Sequence, residues 1–172
     1  MLRSIARGLV AGAAGTAGTA AMTAYQLAVA KVRGKPLATP VPHRWADAPA
    51  PAQVAKKLAD AVGQGRRLTR EDVPLVTNLM HWLYGIGWGA VYGVVARGDS
   101  PLAEGAVFGT AVWASSYAEL VPLGIYRPPW KYPPEEVALD LSYHLVYGVA
   151  VAGAYAAITR DGRGRYRPSR GS

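Results

Sequence analysis

The sequence predicts an all-α membrane protein with four transmembrane helices and a short amphipathic surface helix in the first loop. Three observations support this fold class. Four apolar runs reach the length of about 20 residues that crosses a bilayer, and nearly all charged residues fall between them. The runs are also rich in glycine, which costs a helix about 1 kcal/mol per residue in water. Glycine is tolerated in lipid, where the backbone must bond internally. The predicted spans are residues 8–30, 73–96, 105–126 and 137–159.

Composition narrows the class of protein. The 172 residues have room for one domain, and 51% of them are hydrophobic. There is no cysteine, which excludes disulfide scaffolds and thiolate metal sites. The net charge of +8 comes from basic residues that flank the apolar runs. This arrangement favours anionic lipid headgroups as the partner and speaks against nucleic acid.

The first apolar run is followed by a long polar loop. Residues 8–30 are uncharged and lie after two arginines, and cleavage after Ala30 as a signal peptide is an open alternative. Residues 31–72 form a polar, proline-rich loop. Within it, residues 51–62 have the pattern of an amphipathic helix on the membrane surface. Residues 69–72 have a helix-capping pattern that predicts where the second span begins.

The later runs carry prolines and a basic tail. Pro122 predicts a kink in the third span. Two prolines followed by acidic residues predict that the fourth helix begins near Glu135. Residues 160–172 contain five arginines and are predicted to be a flexible tail. Arg3 and Arg7 beside the first span favour an orientation with both termini in the cytoplasm.

Small residues recur at four-residue spacing in the first three spans, a pattern that lets two helix backbones approach closely in lipid. They predict tight packing within the chain, or contact between copies in a homo-oligomer or a larger membrane complex. The glycines concerned are Gly8, Gly12, Gly85, Gly89, Gly93, Gly105 and Gly109.

An internal similarity links the second and fourth spans. The sequence His-Trp-Leu-Tyr-Gly at residues 81–85 is matched by His-Leu-Val-Tyr-Gly at residues 144–148. Each histidine is followed eleven residues later by a tyrosine, Tyr92 or Tyr155. A duplicated pair of helices, related by an axis along the membrane normal, would place both histidines at a similar depth.

Ionisable residues inside the spans form a candidate polar or ligand site, because such groups are costly in lipid and mark functional positions. They are His81, Glu119, Glu136, Asp140 and His144. The last three are four residues apart and therefore share one helix face. Three interpretations stay open: structural pairing, a divalent metal or proton site, and a haem b held between the two histidines.

The same residues resemble a known family. His81 with Tyr92, then Pro-Leu-Gly at residues 122–124, then the acid-x3-acid-x3-His pattern at residues 136–144, is similar to the YagU-like bacterial inner-membrane proteins of unknown function. The resemblance covers residues 74–157, and Glu119 departs from it. It implies a multi-pass protein of the bacterial cytoplasmic membrane and supplies no reaction.

The sequence favours a non-enzymatic packing or accessory component without a cofactor. A transporter or channel for a small solute, an ion or protons is the alternative, and a metal- or haem-binding membrane protein is the third class. No catalytic triad or nucleotide-binding motif is present in the sequence. A transporter requires its polar groups to face a continuous cavity, whereas an accessory component requires its glycine faces to contact partners.

Overall fold

The computed structural model describes the backbone of residues 2–96 and 100–164 and the side chains of residues 8–96 and 100–160. Within these ranges the chain is helical and contains no strand, which confirms the all-α prediction. Helix α1 packs along both α3 and α5, α4 packs along α5, and the short α2 lies against α3. The helices are α1 (Leu2–Val32), α2 (Ala50–Ala61), α3 (Val73–Val95), α4 (Pro101–Leu120) and α5 (Pro134–Gly164).

The predicted capping residues close a short 3-10 turn, Arg70–Asp72, that leads directly into α3. The backbone N–H and the hydroxyl of Thr69 donate to Oδ2 of Asp72, at 2.8 and 2.9 Å. These hydrogen bonds hold the pKa of the Asp72 carboxyl below its usual value, because they favour the charged form. Pro74 occupies the first turn, where its missing N–H costs nothing. The capping prediction is confirmed.

The ends of α4 and α5 differ from the sequence-based expectation. Helix α4 ends at Leu120, so Pro122 follows the helix and the predicted kink inside it is absent. Gly124 then adopts a φ of +68°, a conformation that favours glycine, and the chain turns back. Helix α5 begins at Pro134, close to the predicted start, and continues to Gly164. The first part of the predicted flexible tail is therefore helical, and residues 165–172 lie outside the described residues.

Helix α2 is anchored by a small apolar cluster of its own. Ala48, Ala52 and Val73 are almost fully buried against one another, with Trp45 packed beside them. Lys56 lies over the Trp45 ring, 5.8 Å from its centroid. Because one face of the helix is buried on the start of α3, α2 forms a cover over one end of the four long helices.

Helices α1 and α3 pack with their backbones in close contact, and so do α4 and α5. The close contacts lie at corresponding positions in the two pairs. A Cβ atom added to Gly15 of α1 would lie 2.7 Å from the carbonyl oxygen of Gly85 in α3. One added to Gly105 of α4 would lie 2.7 Å from the carbonyl oxygen of Gly148 in α5. Gly85 and Gly148 are the matched glycines of the internal similarity, so each helix pair places the matched glycine at a close helix approach. This agreement favours the duplication hypothesis.

Most of the predicted packing glycines are used within the chain. Gly89 and Gly93 approach α1, and Gly109 approaches the α5 backbone near His144. A Cβ atom added to Gly12 would make only an ordinary contact with Ile86, at 3.9 Å, and one added to Gly8 would meet nothing within 4 Å among the described residues of other helices.

The α1–α3 pair and the α4–α5 pair contact each other in two places, between α1 and α5 and between α3 and α4, and the two contacts differ. Gly18, three residues after Gly15, lies directly against Tyr147 and Val151 and lets α1 approach α5. Phe108 holds the corresponding position after Gly105, and its ring faces Trp88 with centroids 6.0 Å apart. Helices α3 and α4 therefore meet through bulky rings, whereas α1 and α5 meet closely.

Among the described residues, one helix is long and apolar enough to cross a membrane, namely residues Pro134–Arg160 of α5. In its most apolar stretch, 22% is buried against the rest of the structure. Helices α1, α3 and α4 fall short by the same test, because much of their length is Gly, Thr, Ser, Tyr and Trp, which score low on hydropathy.

Candidate functional site

A cavity of about 250 Å³ lies between the long helices at the end covered by α2. This volume is far above the roughly 10–15 Å³ that one water needs. All five helices contribute to its wall, with Ala50, Pro51 and Val54 of α2 forming the cover. The polar residues on its wall are Gln26, His81, Tyr84, Ser116, Glu119, Tyr126, Asp140 and His144. Four of the five ionisable residues predicted from the sequence thus share one cavity.

The Asp140 carboxylate is held by neutral donors from the neighbouring helix. Its Oδ2 accepts hydrogen bonds from Nε1 of Trp113 at 3.1 Å and from the hydroxyl of Tyr117 at 3.4 Å. Both donors lie on α4, which packs closely along α5. These two neutral donors fix the position of the Asp140 carboxyl group on the cavity wall.

His144 lies one turn after Asp140, on the same face of α5. Its Nδ1 is 2.8 Å from the backbone carbonyl oxygen of Asp140 and 3.8 Å from the carboxylate Oδ1. A carbonyl oxygen can only accept a hydrogen bond, so Nδ1 carries the proton. In the neutral ring Nε2 is then an acceptor, free of the backbone contact.

His81 enters the same cavity from α3. Its Nε2 is 3.2 Å from the hydroxyl of Thr23 on α1. The same ring also lines a second cavity of about 570 Å³, between α1, the start of α3 and residues 36–39. Thr77 lines this second cavity too, and its buried hydroxyl has no hydrogen-bond partner within the described part of the chain. His81 therefore separates two open spaces.

Glu119 lies near the mouth of the cavity, one residue before the end of α4. Its Oε2 accepts a hydrogen bond from the hydroxyl of Tyr84 at 3.2 Å. Glu119, one of the ionisable candidates from the sequence, thus lies on the cavity wall at the point where α4 ends.

The inner end of the cavity is closed by aromatic rings. A smaller space of about 60 Å³, lined by both histidines, continues inward to Trp88 and Tyr147. Beyond it Phe108 contacts Trp88, Tyr92 and Tyr147, and Tyr92 contacts Tyr155. The Tyr147 hydroxyl donates to the carbonyl oxygen of Gly85 at 2.6 Å. The polar groups thus occupy a blind cavity in this conformation.

The residues on the cavity wall differ from the candidate set predicted from the sequence. Glu136 shares a helix face with Asp140 by spacing, but it is exposed at the start of α5 and does not line the cavity. Tyr84 and Tyr126 were missed because an uncharged tyrosine in an apolar run does not signal a site. Gln26 offered a weak signal, as a polar amide in an otherwise small and apolar run.

The geometry can be tested against the metal and haem interpretations. Within the described ranges, no three His, Cys, Asp or Glu side chains converge as a metal site would require. The faces of the two glycines that follow the histidines are also occupied. Gly85 faces Thr19 of α1, and Gly148 faces Gly109 of α4, so these glycines leave no room for a macrocycle. Both interpretations stay predictions without structural support.

No protein-family model, curated protein or solved structure shows significant similarity to this chain. The resemblance to YagU-like proteins therefore stays a prediction.

Proposed function

We propose that this chain is a four-span membrane protein that binds a small solute in a cavity inside its helix bundle. The observation that carries the proposal is that two carboxylates and two imidazoles, from three different helices, line one cavity of about 250 Å³. This observation supports solute binding or transport over the packing component that the sequence alone favours.

The distribution of polar and apolar side chains supports four spans. Large aliphatic side chains face outward on the helices that fail the hydropathy test; Leu79 of α3 is 52% exposed and Val107 of α4 is 72% exposed. Polar groups such as Thr19 and Ser116 are buried instead. A soluble protein rarely exposes apolar surface on this scale. With 23 and 20 residues, α3 and α4 would span about 35 and 30 Å, enough for the hydrocarbon core.

The glycine contacts weaken the packing-component alternative. That alternative needs glycine faces that are free to meet another protein. In this fold Gly85, Gly89, Gly105 and Gly109 are already in contact with helices of the same chain. Assembly into a homo-oligomer or a larger complex would have to use other surfaces.

The blind shape of the cavity supports a binding site or a carrier and speaks against an open channel. The aromatic rings around Phe108 close its inner end, so the cavity is accessible from the end near α2 rather than through the bundle. Passage to the other side would require these rings to move. We place the protein in the cytoplasmic membrane with both termini in the cytoplasm and anionic lipids as neighbours. The cavity then faces the opposite side.

Cysteine accessibility tests the proposal, because the natural chain has no cysteine to interfere. Ser116→Cys places a thiol on the cavity wall, and Thr110→Cys places one on an exposed position of the same helix. In membranes, a charged methanethiosulfonate reagent reacts with a thiol only where water reaches it. We expect modification at residue 116 and none at residue 110. If neither thiol reacts with the reagent, water does not reach the cavity. That result would favour the packing role over solute binding.

A further inference from the structure

The chemistry of the cavity wall indicates which class of solute it holds. We infer that the ligand is a small organic cation that carries a protonated amine, an inference that rests on the proposed function and specifies its substrate class. Four features of the wall, namely its charge, its hydrogen-bond acceptors, its soft surfaces and its size, lead to this class.

The wall carries negative charge without a permanent positive partner. Glu119 and Asp140 line the cavity, and none of the described residues on its wall is a lysine or an arginine. The donors to these two carboxylates are the neutral groups of Tyr84, Trp113 and Tyr117. Glu119 is exposed and the Asp140 side chain is 31% exposed, so Asp140 is the carboxylate whose partial burial favours an opposite charge beside it. An ammonium group supplies that charge.

The wall also presents hydrogen-bond acceptors suited to N–H groups. Because Nδ1 of His144 donates to the Asp140 carbonyl, Nε2 of the neutral ring can only accept. The carboxylate of Asp140 lies on the same face, one helical turn earlier. A primary ammonium has three donors and no acceptor, so it can satisfy a carboxylate and an imidazole together.

Soft side chains favour an organic cation over a metal ion. Met22 and Met80 supply thioethers, and Tyr84 and Tyr126 supply aromatic rings. Aromatic faces attract ammonium groups, and thioethers pack against short alkyl chains. The cavity is also smaller than the roughly 300–1,000 Å³ that drug-sized ligands occupy. A short alkyl amine matches both the surface and the volume.

Three four-carbon compounds of equal size provide the probes: butylamine, 1-butanol and butyrate. Calorimetry and thermal unfolding in detergent measure their binding to the full chain at pH 7, where butylamine is cationic. We expect butylamine to bind at least tenfold more tightly than the other two. Glu119→Gln and Asp140→Asn should each weaken it about tenfold, the cost of losing one charged hydrogen-bond partner. Glu136→Gln, which lies off the cavity, should leave binding unchanged.

The outcomes separate this inference from the proposed function. Equal binding of butylamine and 1-butanol, or tighter binding of butyrate, would overturn the cationic class while leaving a solute site. If no probe binds although the thiol at residue 116 is modified in membranes, the amine class is again wrong. If no probe binds and that thiol is inert, the proposed function fails as well. Unchanged elution and unliganded melting temperature of each variant exclude misfolding as the cause of any loss.

Discussion

Glycine residues determine how closely the helices of this chain approach one another. At Gly148 an added Cβ atom would lie 2.5 Å from the backbone nitrogen of Gly109, so α4 and α5 would have to move apart. At Gly153, one and a half turns further along α5, an added Cβ atom meets nothing within 4 Å. Both residues lie in the same apolar run, and only the fold distinguishes them.

This contrast makes a prediction for single substitutions. Gly148→Ala should destabilise the protein by about 1–3 kcal/mol, the usual cost of overpacking a filled interior. Gly153→Ala should be neutral or stabilising by up to about 1 kcal/mol, because alanine is the better helix former. Thermal unfolding of both variants in one detergent provides the measurement. Similar stability for the two would show that α4 and α5 are not packed as closely as described.

The ionisable residues of the cavity were predictable, and the uncharged ones were not. A histidine or a carboxylate inside an apolar run is costly, so His81, Asp140 and His144 are visible in the sequence. Glu136 shows what residue spacing cannot predict. Spacing places Glu136 on the same helix face as Asp140, but it does not tell which turns of that face a neighbouring helix covers. Tyr84 lines the site because α3 turns it toward Glu119, which depends on a contact 35 residues apart in sequence.

At the scale of the helices, one pair of matched positions explains why α1 and α5 pack closely while α3 and α4 stay further apart. Gly18 lets α1 contact α5 closely, while Phe108 at the corresponding place keeps α4 away from α3. The sequence predicts the duplication from its His-x-x-Tyr-Gly motif. It does not predict this asymmetry, since the packing partner of each residue is unknown until the helices are paired.

The ends of the helices were predictable where local chemistry sets them. The Thr69–Asp72 hydrogen bonds and the prolines before α5 act within one turn, and both starts agree with the sequence. Pro122 was misread because proline is compatible with a kink and with a stop. Only the path of the following chain, which turns at Gly124, distinguishes the two.

Helix α2 covers the cavity, and a single substitution at its contact with α3 is expected to release it from the long helices. Ala52 is fully buried at its contact with α3, and Lys57 lies on its exposed face. Ala52→Glu buries a carboxylate that has no partner, and releasing the short α2 costs less than keeping that charge buried. We expect the thiol of Ser116→Cys to react several-fold faster in this background. Lys57→Glu is the matched control and should leave the rate unchanged. An unaltered rate with Ala52→Glu would show that α2 does not restrict access.

At the scale of the whole molecule, the number of membrane crossings decides how the cavity is used. Hydropathy alone assigns one crossing, to α5, whereas the outward-facing aliphatic side chains favour four. The two arrangements differ in which loops share a side of the membrane. With four crossings the α1–α2 and α4–α5 loops lie on one side and the start of α4 lies on the other. With α5 as the sole crossing, all three lie on the same side.

Single cysteines on the cysteine-free background distinguish these arrangements. Leu37→Cys and Trp130→Cys report on the two loops, where the natural side chains are 58% and 78% exposed, and Ser100→Cys reports on the start of α4. In intact cells, an impermeant maleimide should label residues 37 and 130 and spare residue 100 until the membrane is opened. The reverse pattern would keep four crossings and invert the orientation, so that the cavity faces the cytoplasm. Identical behaviour at all three positions would leave α5 as the only crossing and would remove the lipid-enclosed cavity on which the proposed function rests.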